Sequence, residues 1–256
     1  SVLGAGPTFV GLVEGIAESA SSLTKLFSGW LSDRLGRRKG LVVAGYTLST
    51  LARPLVAFAL APWHVLLVRF TDRLGKGLRT SPRDALIAGS TEPHIRGRAY
   101  GFHRSMDHLG AVAGPALAFV FLLLMGGQLR TLFLLAAIPG ILSVLILVLK
   151  VSEIQVNSTA APKATPGTGR LDAQLARFLI VVTLFTLGNS SDAFLLLRAQ
   201  EVGIAVAHLP LLWMFFSLVK AVTGMPGGML SDLKGRRGTI IAGWLVYAVA
   251  YLGFGA

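Results

Sequence analysis

The sequence predicts an all-α polytopic membrane protein, and three observations carry that prediction. Apolar stretches of membrane-spanning length recur along the chain, charge is scarce, and basic residues collect in alternate connections. Hydrophobic residues make up 53% of the 256 residues and there are 30 glycines besides, against an apolar share of about 45–50% in soluble domains. Charged residues are only 14% and mean hydropathy is +0.67. That excludes a disordered chain and leaves too little polar surface for a water-soluble bundle. The absence of cysteine excludes a disulfide scaffold, a thiol nucleophile and a thiolate-ligated metal centre.

A helix needs about 20 residues to cross about 30 Å of hydrocarbon. Such spans are read at residues 9–31, 41–61, 63–82, 100–124, 130–149, 174–198 and 208–230, with an eighth starting near 240. The first carries Glu14 and Glu18 four residues apart, on one helical face, with Lys25 seven beyond Glu18. A charge in hydrocarbon is costly, so these carboxylates are expected to face the interior, a water-filled cavity or the headgroup end. If desolvated together, two carboxylates this close favour one holding a proton. The third span carries a charged stripe, Arg69, Asp72, Arg73, Lys76 and Arg79, at three- and four-residue spacings. Asp72 can partly neutralise Arg69 or Lys76, and the net positive strip calls for an anionic headgroup, a carboxylate substrate or an acidic neighbour. Lys76 and Arg79 lie nearer the cytoplasm and can snorkel.

In the fourth span His103, Arg104, Asp107 and His108 stand within three or four residues of one another. They read as a proton relay, a substrate contact or plain inter-helix pairing, since histidine titrates near neutral pH. Metal binding is disfavoured: adjacent basic groups oppose a dication, and His103 and His108 point in different directions around the helix. Gly110 and Gly114 then offer a small face for close helix packing, and Pro115 removes a backbone donor and bends the span. The sixth span offers Asn189, Asp192 and Arg198, and the seventh Lys220. Asp192 is the candidate interior coupling group, or the partner of Lys220. The run Gly224-Met225-Pro226-Gly227-Gly228 predicts a bent, closely packed helix, because it has neither the spacing nor the preceding strand of a phosphate loop.

The connections are sided. Arg34, Arg37, Arg38 and Lys39 occupy one, Arg83, Arg96 and Arg98 a second, Lys150, Lys163 and Arg170 a third, and Lys234, Arg236 and Arg237 a fourth. The connections between these lack Lys and Arg, although Arg130 and Arg198 border them. The positive-inside rule makes the basic loops cytoplasmic, so the first span runs inward. The net charge of +12 therefore orients the chain in a bilayer and meets anionic headgroups, not nucleic acid. No charged n-region followed by a short apolar stretch opens the chain, so no signal peptide is expected. Val151 to Gly169 lacks periodicity and reads as a cytoplasmic linker. The expected organisation is a helical unit over 1–150, a linker over 151–172 and a second unit from 173 to 256.

Two cytoplasmic connections repeat each other. Gly29-Trp30-Leu31-Ser32-Asp33-Arg34-Leu35-Gly36-Arg37-Arg38 and Gly228-Met229-Leu230-Ser231-Asp232-Leu233-Lys234-Gly235-Arg236-Arg237 share Gly-x-x-Ser-Asp-x-x-Gly-Arg-Arg, 199 residues apart from Asp33 to Asp232. The repeat, once on each side of the linker, predicts two parallel halves. Its offset predicts one further helix before Ser1 and three after Ala256, so the chain is expected to cover about helices two to nine of twelve. In each loop a carboxylate, a glycine turn and clustered basic groups can join neighbouring helix ends through charge-assisted hydrogen bonds.

This duplicated motif, on six-plus-six arithmetic with a cytoplasmic linker, resembles the major facilitator superfamily of secondary transporters. Gly29, Asp33, Arg34, Gly36, Arg37 and Arg38 match its loop signature in full, whereas Leu233 replaces the first arginine in the second copy. The resemblance implies a fold of two six-helix halves. It also implies a conformational latch in which Asp33 and Arg37 hold the outward-facing state, a helix-four arginine (Arg69 or Arg73) tied to proton coupling, and an exporter-like Gly-Pro segment at Gly110, Gly114 and Pro115. The implied activity is alternating access: proton-coupled efflux of a small solute or drug, with uptake of an anionic metabolite second. A sensor or assembly component that keeps the fold without transport is a third reading. The protein is expected to be no enzyme, since no nucleophile-base-orienter set falls in span-compatible positions. It is expected to need no cofactor and no metal. Its expected setting is a monomeric transport unit in the bacterial cytoplasmic (inner) membrane, with lipid, protons and a small-molecule solute as partners.

Overall fold

The computed structural model describes residues 7–125, 128–153, 173–187, 199, 203 and 208–255. Nine α-helices organise these residues: α1 (Pro7–Leu35), α2 (Lys39–Ala52), α3 (Pro62–Gly89), α4 (Arg96–Leu124), α5 (Leu129–Leu135), α6 (Ala137–Lys150), α7 (Ala173–Leu187), α8 (Leu209–Lys234) and α9 (Arg236–Gly255). The stretches Lys39–Phe58, Pro93–Leu124, Leu129–Lys150 and Leu211–Lys234 are each long and apolar enough to cross a membrane. α1 and α3 reach 29 and 28 residues, but charged residues along both dilute their apolar character.

Prolines explain where the spans depart from uniform helices. Pro54 cannot donate a backbone hydrogen bond, and α2 ends at Ala52 and tightens into a 3-10 turn over Arg53–Phe58. The expected 130–149 span breaks at Ala136, three residues before Pro139, into α5 and α6. Pro82 does not end α3, which runs seven residues past the expected boundary to Gly89. Packing holds the helix there: Pro82 is fully buried, and the Ser81 hydroxyl donates to the Lys25 carbonyl of α1 at 2.9 Å.

Small residues make the core. Gly75 and Gly77, two positions apart, point to opposite sides of α3, which lies between α1 and α2. A Cβ on Gly75 would sit 2.6 Å from Ser49 Oγ of α2, and one on Gly77 2.6 Å from the Ser21 carbonyl of α1. Ser28 Oγ donates to the Gly77 carbonyl at 3.0 Å across the same seam. Such helix contacts, made by glycine and serine rather than by leucine, are those expected where lipid is as apolar as a side chain. The large apolar residues face outward instead: Leu117, Phe119, Leu123 and Leu124 of α4 are all about two-thirds exposed or more, a surface suited to hydrocarbon and not to water.

Candidate functional site

The repeated loops make the same chain reversal by the same device. Gly36 and Gly235 both hold positive φ, 62° and 87°, which a side chain would strain. Each lies just past a long helix, and the basic pair follows. The two aspartates fare differently. Asp232 reaches α4, its Oδ1 accepting the Gly97 amide at 2.8 Å and its Oδ2 the Arg98 amide at 2.7 Å. These amides belong to the first turn of α4 and have no intrahelical acceptor, so the carboxylate caps the helix and meets its positive end. Asp33 stays 74% exposed and faces Arg38 at 3.7 Å.

The first loop is fastened by other groups. Glu153, just past α6, accepts the amides of Arg38 and Lys39 at 2.8 and 2.9 Å. Lys39 Nζ returns a bond to the Val148 carbonyl at 2.8 Å, so α2 and α6 exchange end caps. Arg38 Nη1 donates to the Ala85 carbonyl of α3 at 3.2 Å. Arg34 lies over the Trp30 ring at 5.3 Å, Gly29 faces Ser81, and Arg37, Arg236 and Arg237 are exposed.

Beneath the Asp232 cap, α4 and α8 run antiparallel with almost no space between their backbones. A Cβ on Gly228 would collide with the Gly97 carbonyl, and one on Gly101 would lie 2.5 Å from the Gly224 carbonyl. Ser105 Oγ accepts the Met225 amide at 3.0 Å. Residues 97, 101 and 105 of α4 thus meet 228, 224 and their neighbours on α8, a four-residue repeat of small side chains on both partners. The run from Gly224 to Gly228 was expected to pack closely, as it does here, whereas on α4 the expected small face was at Gly110 and Gly114. Among the described residues neither Gly110 nor Gly114 has an atom within 4 Å of an added Cβ. Gly110 and Gly114 lie nine and thirteen residues after Gly101, about 180° and about 220° around the helix, so they point away from the face that meets α8. Pro115 lies inside α4 without ending it.

The charged stripe of α3 divides between two neighbours. Arg73 faces Glu18 of α1 at 3.7 Å, and Asp72, only 14% exposed, pairs with Arg53 of the 3-10 turn at 2.9 Å. Arg53 was absent from the expected set, because same-helix spacing points to Arg69 and Lys76 while the facing helix supplies the guanidinium. Arg69 stands one turn before Arg73. Arg79 donates to Ser49 Oγ at 2.6 Å and lies over the Tyr46 ring at 4.6 Å. On α4 His103 Nε2 stands 3.4 Å from Asp107 Oδ2, and Arg104 is exposed. Tyr100 donates to the Asp84 carbonyl at 2.7 Å, bridging α4 to the end of α3. Lys220 is exposed on α8. Asp192, Asn189, Arg198 and the side chain of Glu14 lie outside the described residues, as does the linker from 154 to 172.

Long apolar helices, a lipid-suited exterior, a small-residue core and sparse intramembrane ion pairs define an integral multi-pass helical membrane protein. The sequence profile of the Major Facilitator Superfamily matches residues 1–256, and the chain belongs to that family. Its members are carriers and not enzymes. An uncharacterized MFS-type transporter of Methanocaldococcus jannaschii is 32% identical over 258 residues, covering 98% of this chain and 64% of the relative. An uncharacterized protein of Mycobacterium tuberculosis is 33% identical over 138 residues, or 54% of this chain and 34% of that protein. A multidrug resistance protein, MdtH, of Yersinia enterocolitica is 35% identical over 112 residues, or 44% of this chain and 28% of that protein. The chain thus spans less than two-thirds of the length of these relatives.

Proposed function

We propose that the protein is a secondary carrier that works by alternating access and exports a small solute or drug in exchange for protons. The observation that carries this reading is the α4–α8 contact. It joins a helix before the linker to a helix after it, at the end that the basic loops assign to the cytoplasm. Two hydrogen bonds to a charged acceptor contribute about 1.5–3 kcal/mol each, and moving a two-state equilibrium from 1:99 to 99:1 takes about 5.5 kcal/mol. The Asp232 cap is therefore of the right size to hold an outward-facing state and to be broken in turnover. Residues 1–150 and 173–256 then belong to two halves that rock about the linker, six helices each in the parent fold, within one monomeric unit of a bacterial cytoplasmic membrane.

Efflux takes further support from the similarity to the multidrug resistance protein. Proton coupling is assigned to the carboxylates that lie among basic groups: Glu18 with Arg73, Asp72 with Arg53, Asp107 with His103, and Glu14 and Asp192 by position. A ligand drives the change only by binding the two states differently, and protonation of these carboxylates, which releases their cationic partners, is such a difference. Uptake of an anionic metabolite is the second reading, favoured by the surplus of Arg69, Arg73, Lys76 and Arg79 over Asp72 on one helix. Reconstitution of the full-length protein in liposomes with an imposed proton gradient tests both. Expulsion of a cationic or neutral solute against inward proton flow supports export, and anion accumulation with inward protons overturns it in favour of uptake. Absence of gradient-dependent flux across cationic, neutral and anionic solutes sinks the carrier reading.

A further inference from the structure

Away from the α4–α8 contact, a cavity of about 200 Å³ lies between α2, α3 and the α5–α6 break, with Tyr46, Ser49, Thr50, Arg53, Arg79 and Ser143 among its walls. Its charge is unbalanced. Arg53 is matched by Asp72 at 2.9 Å. Arg79 has only neutral partners: Nη1 donates to Ser49 Oγ at 2.6 Å and to the Gly45 carbonyl at 3.4 Å, and the guanidinium lies 4.6 Å from the Tyr46 ring centroid. Among the described residues no carboxylate pairs with it, and Nη1 is the one nitrogen of the group given an acceptor. Arg79 is part-buried, and the carboxylate whose charge reaches it, Asp72, is already paired with Arg53, so the cavity keeps a surplus positive charge.

α2 and α3 approach so closely that a Cβ on Gly45 would lie 2.8 Å from the Arg79 Cβ, and the bonds to Ser49 and Gly45 hold the guanidinium at the cavity wall. The volume limits the occupant. A water claims about 30 Å³ and drug-sized ligands need pockets of about 300–1,000 Å³. The space therefore takes a small ion with a few waters, and is too small for a phospholipid headgroup or for the cargo of a drug carrier.

We propose that this cavity binds a small monovalent anion, of the size of chloride or a short carboxylate such as acetate, with Arg79 as its counter-charge and the Thr50 hydroxyl as a second donor. The ion completes the packing of α2, α3 and α6, and the site stands whether or not the carrier reading holds.

The test is thermal unfolding of the full-length protein in neutral detergent, followed by tryptophan fluorescence at constant ionic strength in chloride, acetate or gluconate. The midpoint is expected to rise saturably, by several degrees, with chloride or acetate and to stay flat with gluconate, which is too large; the chloride and acetate arms tell the two ions apart. Arg79→Gln removes the counter-charge and is expected to abolish the anion dependence. Ser143→Leu fills the cavity from α6, leaves the Arg79 contacts in place and is expected to do the same, so a failure of Arg79→Gln to fold leaves the proposal testable. Equal rises in all three salts, no rise in any, or an undiminished chloride or acetate effect in Ser143→Leu would overturn it.

Discussion

Replacing Gly101 by alanine puts a methyl group 2.5 Å from the Gly224 carbonyl, where ordinary contact begins at 3.4 Å. The helices must therefore part by about 0.9 Å at this level. Overpacking of that kind costs about 1–3 kcal/mol, and it falls only on the state in which α4 and α8 touch. The gain in helix propensity of alanine over glycine, up to about 1 kcal/mol, is common to both states and cancels. The equilibrium between joined and parted helices should thus shift about 5- to 150-fold toward the parted form. These 256 residues contain no cysteine, so Arg98→Cys and Leu233→Cys can carry the spin labels, and double electron–electron resonance then reports the α4–α8 distance. Gly101→Ala should transfer population to a longer distance. Gly110→Ala, with nothing among the described residues within 4 Å, should leave the distribution as it was. If Gly101→Ala leaves the distribution unchanged, or if the two variants behave alike, the close-contact reasoning is refuted.

Other consequences follow from individual contacts. Asp232→Ala removes the acceptor of the Gly97 and Arg98 amides and should cost about 0.5–2 kcal/mol of helix capping, read as the same increase in α4–α8 distance; Asp33→Ala should leave that distance unaltered. Glu153→Ala should speed hydrogen exchange at the Arg38 and Lys39 amides by about fivefold or more, from a cap worth about 1 kcal/mol, with little change at Gly97. Asp72→Asn takes from Arg53 its carboxylate partner at 2.9 Å and should lower the thermal midpoint, while adding Arg53→Gln should restore part of the loss, since a double-mutant cycle isolates the pair.

Periodicity and composition made the helices legible, and the repeat around Asp33 and Asp232 located both chain reversals, because only a glycine readily takes the backbone conformation at Gly36 and Gly235. What was not legible was partnership between helices. Spacing along α3 suggested Arg69 and Lys76 for Asp72, whereas Arg53 arrives from another helix and no local rule brings it there. The two aspartates of the repeat looked equivalent, with Asp33 the better match to the signature. In the structure Asp232 makes the cap, because α4 offers it free amides behind Gly97. Close packing was read for Gly224 to Gly228 on α8, but on α4 the small face was read at Gly110 and Gly114. A contact needs small residues on both helices at one level, and α8 supplies them opposite Gly97 and Gly101. Glu153 passed unnoticed as one acid at the start of a polar linker, its role set by the return of the chain to the α2 end.

The central claim is that α4 and α8 must part at their cytoplasmic ends in every transport cycle. Its most direct test is flux through liposome-reconstituted protein carrying Arg98→Cys and Leu233→Cys, which leave the Asp232 cap in place, with the pair joined by a reducible cross-link. Proton-driven flux should fall to the level of empty liposomes while the bridge is intact and return when it is reduced. Undiminished flux through the bridged protein would contradict the claim.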